Sequence, residues 1–114
     1  MPQLPNYLLP QRKRLALSQD EVAFLMGTHG GAGISRYEQF SQTPSLETVL
    51  ALELILQKPA KELFGGLYEE IRQRVETRAK VLIYKTDRGK QSRRATRKRQ
   101  ALANIISPQS NNLH

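Results

Sequence analysis

Apolar residues recur at intervals of three and four along almost the whole chain, and no segment alternates apolar with polar residues as a half-buried strand would. This spacing places side chains on one face of a helix, so the pattern argues against a sheet and predicts an all-α fold. The length of 114 residues is enough for one small helical domain with an extension.

Start and stop signals divide the first half of the chain into five predicted helices. The clearest signal is Ser18-Gln19-Asp20-Glu21, a capping box in which Ser18 accepts from the amide of Glu21 and the Glu21 carboxylate accepts from that of Ser18. Gly27 then ends this second helix in left-handed geometry. The other four predicted helices run from Tyr7 or Pro10 to Ala16, from Ala32–Ile34 to Phe40, from a Ser45 cap to Gln57, and from Pro59 to Leu63-Phe64.

The second half is predicted to form two further helices after a break at Gly65-Gly66. A long amphipathic helix should run from Leu67 to Tyr84, and a very basic helix from Ser92 to Ile106. The predicted domains are therefore a head at 6–64, a helical extension at 65–106 and a disordered tail at 107–114. One apolar stripe on the long helix comprises Leu67, Ile71, Val75, Ala79 and Leu82.

Charge is distributed unevenly between the two halves. Residues 1–57 hold four basic and five acidic residues, a balance of −1, whereas residues 58–114 hold fourteen basic and five acidic, a balance of +9. Together they give the net charge of +8, which indicates a polyanionic partner. The side chains that we expect to contact phosphates in the basic helix are Arg93, Arg94, Arg97 and Lys98.

Several classes of function are disfavoured by composition. The chain has no cysteine, so disulfides and thiolate metal sites are excluded, and His29 and His114 are too far apart in sequence to suggest a metal pair. The N-terminus has no basic leader and no apolar run is long enough for a membrane span. No nucleophile–base set or paired carboxylates stand out, so we expect a protein that is not an enzyme and needs no metal or cofactor. We also expect the protein to be cytoplasmic.

The stretch GTHGGAGISRYEQF, from Gly27 to Phe40, is rich in glycine but does not match a nucleotide-binding loop. A Walker A loop would need its second glycine at Ala32 and a lysine next, and the dinucleotide fingerprint would need a glycine at Arg36. Both motifs also follow a strand, whereas a helix precedes this stretch. We therefore interpret it as a wide turn between two helices.

Four segments in order, Leu17–Ala23, Gly27, Ile34–Glu38 and Pro44–Thr48, resemble the Cro/C1-type (XRE family) helix-turn-helix proteins, over about residues 8–64. The resemblance implies a five-helix lambda-repressor-like head whose third helix reads the major groove of double-stranded DNA. It further implies a sequence-specific transcriptional regulator, a repressor, that works as a homodimer in the bacterial cytoplasm on the nucleoid. One departure is that six residues, THGGAG, separate Gly27 from Ile34 where the family usually has five.

The resemblance also implies roles for individual residues. Arg36 would face base edges with Ser35 beside it, and Arg12 and Glu38 would form a structural pair. Gly31 and Ala32 stand where relatives place base-reading side chains, so these readers are either absent here or replaced by Thr28 and His29 through a shifted loop. The side chains expected to lie along the phosphate backbone are Gln19, Gln39, Ser41 and Gln42.

Alternative interpretations remain open at the sequence level. The chain could be a protein-interaction module, such as an antitoxin-like partner, or could bind RNA through its arginine-rich end. The apolar stripe could pair with a second copy, or could pack on the head or on the last helix.

Overall fold

The computed structural model describes residues 4–107, and within that range the chain forms seven α-helices and no strand. The predicted all-α class is confirmed. The contacts divide the chain into two compact units, one reaching Glu69 and the other beginning at Glu70. None of the helices within residues 4–107 combines the length and apolar character needed to cross a bilayer.

The first unit contains five short helices and the start of a sixth. Its core is made of side chains from all five, with Leu8, Val22, Ile34, Leu52 and Leu63 among the buried members. Leu67, the first residue of the predicted stripe, also packs against this core. The helices are α1 (Leu8–Arg14), α2 (Gln19–Met26), α3 (Ala32–Glu38), α4 (Leu46–Leu56) and α5 (Ala60–Leu63).

The helix ends with strong local signals form as predicted. Ser18 Oγ accepts from the Glu21 amide at 3.0 Å, and the Glu21 carboxylate accepts from the Ser18 amide at 2.8 Å, so the capping box is complete. Gly27 ends α2 with φ of 80°. Ser45 caps α4 by accepting from the Thr48 amide at 3.2 Å. These bonds satisfy amides that have no partner inside their helices.

Four predicted boundaries are wrong by a few residues. Helix α1 ends at Arg14 rather than Ala16, and α3 ends at Glu38 rather than Phe40. In both cases the predicted last residue is left-handed, with φ of 61° at Ala16 and 60° at Phe40, and this conformation stops a helix. The predicted break at Gly65-Gly66 falls instead at Phe64, and the long helix that follows ends at Asp87 rather than at Tyr84.

Gly66 lies inside a helix, and the chain's N-terminal segment passes very close to it. The Gly66 amide donates to the Leu4 carbonyl at 2.9 Å, and a Cβ at position 66 would collide with that carbonyl. Glycine is therefore required there by close approach of two backbones, and not by a turn.

The second unit contains the rest of α6 (Gly65–Asp87) and α7 (Arg93–Ile106). Its buried apolar residues are Ala79, Ala95 and Leu102. Ser92 caps α7 by accepting from the Ala95 amide at 3.1 Å. Arg99 of α7 donates to Asp87 at the end of α6 at 2.7 Å and to Gln91 in the connecting turn at 2.9 Å. Of the predicted disordered tail, residues 108–114 lie outside the described range.

Two leucines on α4 provide a matched test of the core of the first unit. Leu52 is 1% exposed and Leu54, two residues away on α4, is 81% exposed. Leu52→Ala should lower the free energy of unfolding in urea by about 2–5 kcal/mol, because it leaves a cavity. Leu54→Ala should change it by less than about 0.5 kcal/mol. Equal losses at the two positions would contradict this account of the core.

Candidate nucleic-acid interface

Five residues, Gly27–Gly31, connect α2 to α3. Gly27 and Gly30 both have positive φ, at 80° and 72°. Thr28 closes the end of α2, because its amide and its hydroxyl both donate to the Ala23 carbonyl, at 2.9 and 3.1 Å. His29 is exposed. Both residues that the sequence offered as substitute readers therefore lie before the N-terminus of α3.

Gly31 is buried where the starts of α2 and α3 approach each other. A Cβ at this position would lie 2.6 Å from Gln19 Cβ and 2.9 Å from the Gln19 carbonyl carbon, closer than real Cβ atoms approach other atoms. The φ of Gly31 is an ordinary −93°, so close approach, and not backbone conformation, requires the glycine. Position 31 therefore has no room for a side chain that reads bases.

A buried hydrogen-bond network joins α1, α2 and α3. Arg12 Nε donates to Glu38 Oε2 at 2.5 Å and Arg12 Nη2 donates to Oε1 at 3.1 Å, which is a bidentate pair. Arg12 Nη1 donates to the Leu17 carbonyl at 3.0 Å. Gln19 Nε2 donates to Glu38 Oε1 at 3.0 Å. The predicted structural pair is thus the centre of a network that includes Gln19.

The environment of Arg12 keeps it charged. The Arg12 residue is only 8% exposed, and the hydrogen bond that it donates to Glu38 raises the pKa of the guanidinium above its ordinary value. Burial acts in the opposite direction and the charge of Glu38 adds to the rise. Because the arginine pKa is raised, deprotonation of Arg12 removes the contribution of this pair to folding only at strongly alkaline pH.

Gln19, which was predicted to contact phosphate, is half-buried and not fully exposed. One N–H of its amide is used by Glu38, and a glutamine amide carries two. The second N–H remains as a donor at the start of α2.

Asn6 is a further buried polar residue that sequence reasoning missed. Its Nδ2 donates to the Tyr37 carbonyl near the end of α3 at 2.9 Å, and its Oδ1 accepts from the Leu8 amide at 3.1 Å. It thereby links the start of α1 to the end of α3. An asparagine two residues before an apolar helix start is a capping signal that could have indicated the second bond.

Arg36 is exposed on α3, and one of the three nitrogens of its guanidinium is hydrogen-bonded. Arg36 Nε donates to Gln42 Oε1 at 2.9 Å. Within residues 4–107, Nη1 and Nη2 have no hydrogen-bond partner. A Cβ added at Gly33 would lie 3.9 Å from Nη2, so the guanidinium lies alongside α3. The Arg36 fork is therefore oriented and available.

The remaining predicted residues of α3 and the following turn lie around Arg36. Ser41 holds the helix end, because its amide and hydroxyl donate to the Arg36 carbonyl at 3.0 and 3.2 Å. Gln39 Nε2 donates to Ser35 Oγ at 3.2 Å. The structure thus brings together five of the predicted residues in one short polar surface, namely Ser35, Arg36, Gln39, Ser41 and Gln42.

The predicted phosphate-contacting residues belong to the second unit. Arg93, Arg94, Arg97 and Lys98 are all exposed and line one concave region of α7. The division of charge follows the division into units. Residues 1–69 hold six basic and seven acidic residues, giving −1, and residues 70–114 hold twelve basic and three acidic, giving +9.

No family model, curated protein or solved structure matches this chain. In the described part of the chain, His, Asp and Glu side chains form no group of three that could hold a metal ion.

The network around Glu38 is testable by an isosteric change. Glu38→Gln should lower the free energy of unfolding by about 3 kcal/mol, because it leaves the buried Arg12 charge without a carboxylate. Replacing both members by apolar residues, Arg12→Met with Glu38→Leu, should recover most of that loss. Urea unfolding measures all three proteins.

Glu47→Gln on the exposed start of α4 is the matched control and should cost less than about 1 kcal/mol. A loss no larger for Glu38→Gln than for this control would show that the pair does not hold the three helices together.

Proposed function

We propose that the chain is a sequence-specific DNA-binding transcriptional regulator of the Cro/C1 helix-turn-helix type, acting as a repressor, whose α3 enters the major groove. The observation that carries the proposal is the combination of a rigid support and an available reader. The Arg12–Glu38–Gln19 network fastens α3 to α1 and α2, while Arg36 on α3 keeps two guanidinium nitrogens free of internal partners within residues 4–107.

Arginine suits this role because its planar fork can donate to O6 and N7 of one guanine at the same time. The bond from Arg36 Nε to Gln42 restricts an otherwise mobile side chain before DNA arrives, which lowers the entropic cost of binding. In this proposal Gln42 positions Arg36, in addition to any contact that Gln42 makes with the phosphate backbone of DNA. Specificity then depends on Arg36 more than on the start of α3, where Gly31 has no side chain.

The flanking polar groups would position the head on the duplex. Gln19 retains one amide N–H, and the exposed Gln39 and Ser41 follow α3 along the chain. Thr28 and His29 flank the other end of α3. Contacts of this kind fix register on the phosphate backbone and carry little sequence information.

The stripe on α6 supports a homodimer as part of the proposal. Ile71, Val75 and Leu82 are each more than a third exposed, whereas Ala79 is buried. Apolar side chains on one face of a long helix are suited to pairing with the same face of a second copy. A dimer would let two recognition helices reach half-sites one turn of DNA apart.

The second unit would supply most of the sequence-independent affinity. The first unit carries a balance of −1 and cannot by itself attract a polyanion strongly, whereas the second carries +9. Arg93, Arg94, Arg97 and Lys98 are the proposed phosphate contacts. Such contacts release counterions, so they would make binding strongly dependent on salt.

A protein-interaction module is a second candidate, favoured by a different surface. Leu46, Leu50 and Leu54 follow one another at intervals of four on α4 and are 74%, 52% and 81% exposed. Exposed apolar side chains grouped on one face are typical of protein contacts. The two candidates differ in the side chains on which they depend, Arg36 for the regulator and the α4 leucines for the module.

The regulator proposal is tested by Arg36→Gln. Duplexes are first enriched from a random-sequence library by the wild-type protein, and affinity is then measured by fluorescence anisotropy. Arg36→Gln should weaken binding to the enriched duplex by about tenfold or more, since a bidentate contact contributes about 1–3 kcal/mol of discrimination. Its affinity for an arbitrary duplex should fall much less.

Arg14→Gln, an equal change of charge on the exposed surface of α1, is the control and should leave the preference for the enriched sequence unchanged. If the library yields no enriched sequence, or Arg36→Gln keeps the preference intact, the proposed mode of reading is wrong.

A further inference from the structure

A cleft lies between α6 and α7 within the second unit, on the surface that follows the turn at Gly89. Its volume is about 300 Å³, at the lower end of the range for small-molecule sites. Four cationic side chains contribute to its lining, with the Ser92 hydroxyl beside them, and no carboxylate does. The cations are Lys85, Lys90, Arg94 and Lys98.

The fold does not neutralise these charges. Asp87 is the only acidic residue between positions 77 and 107, and its carboxylate accepts from Arg99 at 2.7 Å. In the described part of the chain the four cleft cations have no hydrogen-bond or ion-pair partner. The carboxylate nearest in sequence to the cleft cations thus pairs with Arg99, which does not line the cleft.

Concentrating like charges around one concavity is unfavourable in the absence of a ligand. Arg94 and Lys98 are separated by four residues on α7, and such a pair opposes the helix by a few tenths of a kcal/mol. An anion between the cations would convert this repulsion into charge-assisted hydrogen bonds. Ser92 accepts from the Ala95 amide, which leaves its own O–H as a further donor.

We propose that this cleft binds closely spaced phosphate groups. Four separate cations around one small volume suit two or three adjacent phosphates better than a single monoanion, because each phosphate brings its own charge. Two of the cations, Lys85 and Lys90, lie outside the basic helix. Two sources offer such phosphates, a nucleic-acid backbone and a free oligophosphate, and only the first source rests on the proposed function.

Isothermal titration of the full-length protein with inorganic triphosphate at fixed ionic strength tests the site itself. One triphosphate should bind per chain, and Lys85→Gln with Arg94→Gln should weaken binding by about tenfold, as expected for the loss of two partly solvated charge contacts. Lys80→Gln with Arg74→Gln removes the same charges from the same unit outside the cleft, and should weaken binding less than about twofold.

Absence of saturable triphosphate binding would overturn the proposal, and so would equal weakening by the two double variants, because that would reveal only a diffuse charge effect. Circular dichroism of both variants checks that the helices are retained.

A second arm distinguishes the two sources of phosphate. Binding of an arbitrary duplex of about one helical turn is measured for the same variants, with and without triphosphate. Displacement of the duplex by triphosphate, with selective weakening by the cleft variant, assigns the cleft to the nucleic-acid backbone. Triphosphate binding without competition assigns it to a free oligophosphate. Because triphosphate contains no bases, failure of sequence reading by Arg36 would leave the titration unaffected.

Discussion

The bidentate ion pair between Arg12 and Glu38 is the constraint on which the geometry of the first unit depends. Both side chains are removed from water, a costly change that is offset only when every polar atom has a partner. Here the partners come from three helices and one turn, since Glu38 also accepts from Gln19 and Arg12 also donates to Leu17. The orientation of α3 is thus specified by directional bonds, and not by apolar packing alone. A helix of seven residues has few other contacts that could fix which of its faces is exposed.

The close approach at Gly31 involves a residue of the same network. Gln19 donates to Glu38 at the end of α3, and its own Cβ and backbone leave room only for glycine at position 31, just before the start of α3. The side chains left to face a ligand are then those in the second half of α3 and the turn after it. The first unit has a charge balance of −1 and the second of +9. Under the proposed function, the first unit would supply selectivity and the second would supply attraction to the polyanion.

Features encoded within a few residues were predictable from the sequence. The capping box at Ser18, the left-handed Gly27 and the caps at Ser45 and Ser92 each require only neighbours in the chain, and each forms. The features missed depend on distant partners. Glycine is required at position 66, inside a helix, because Leu4 approaches it, and the buried Asn6 donates to the Tyr37 carbonyl 31 residues away. Arg36 was predictable as an exposed arginine, but its bond to Gln42 follows from the left-handed turn at Phe40, where the sequence indicated helix.

The claim that α3 reads DNA through Arg36 is tested most directly by methylation footprinting of the region upstream of the coding sequence. Dimethyl sulfate modifies guanine N7, one of the two atoms that an arginine fork would cover. The account predicts two protected guanines related by two-fold symmetry about one helical turn apart. It also predicts that Arg36→Gln removes this protection while the wild-type pattern persists in the Arg14→Gln protein. Protection that is absent, or that survives the loss of Arg36, would contradict it.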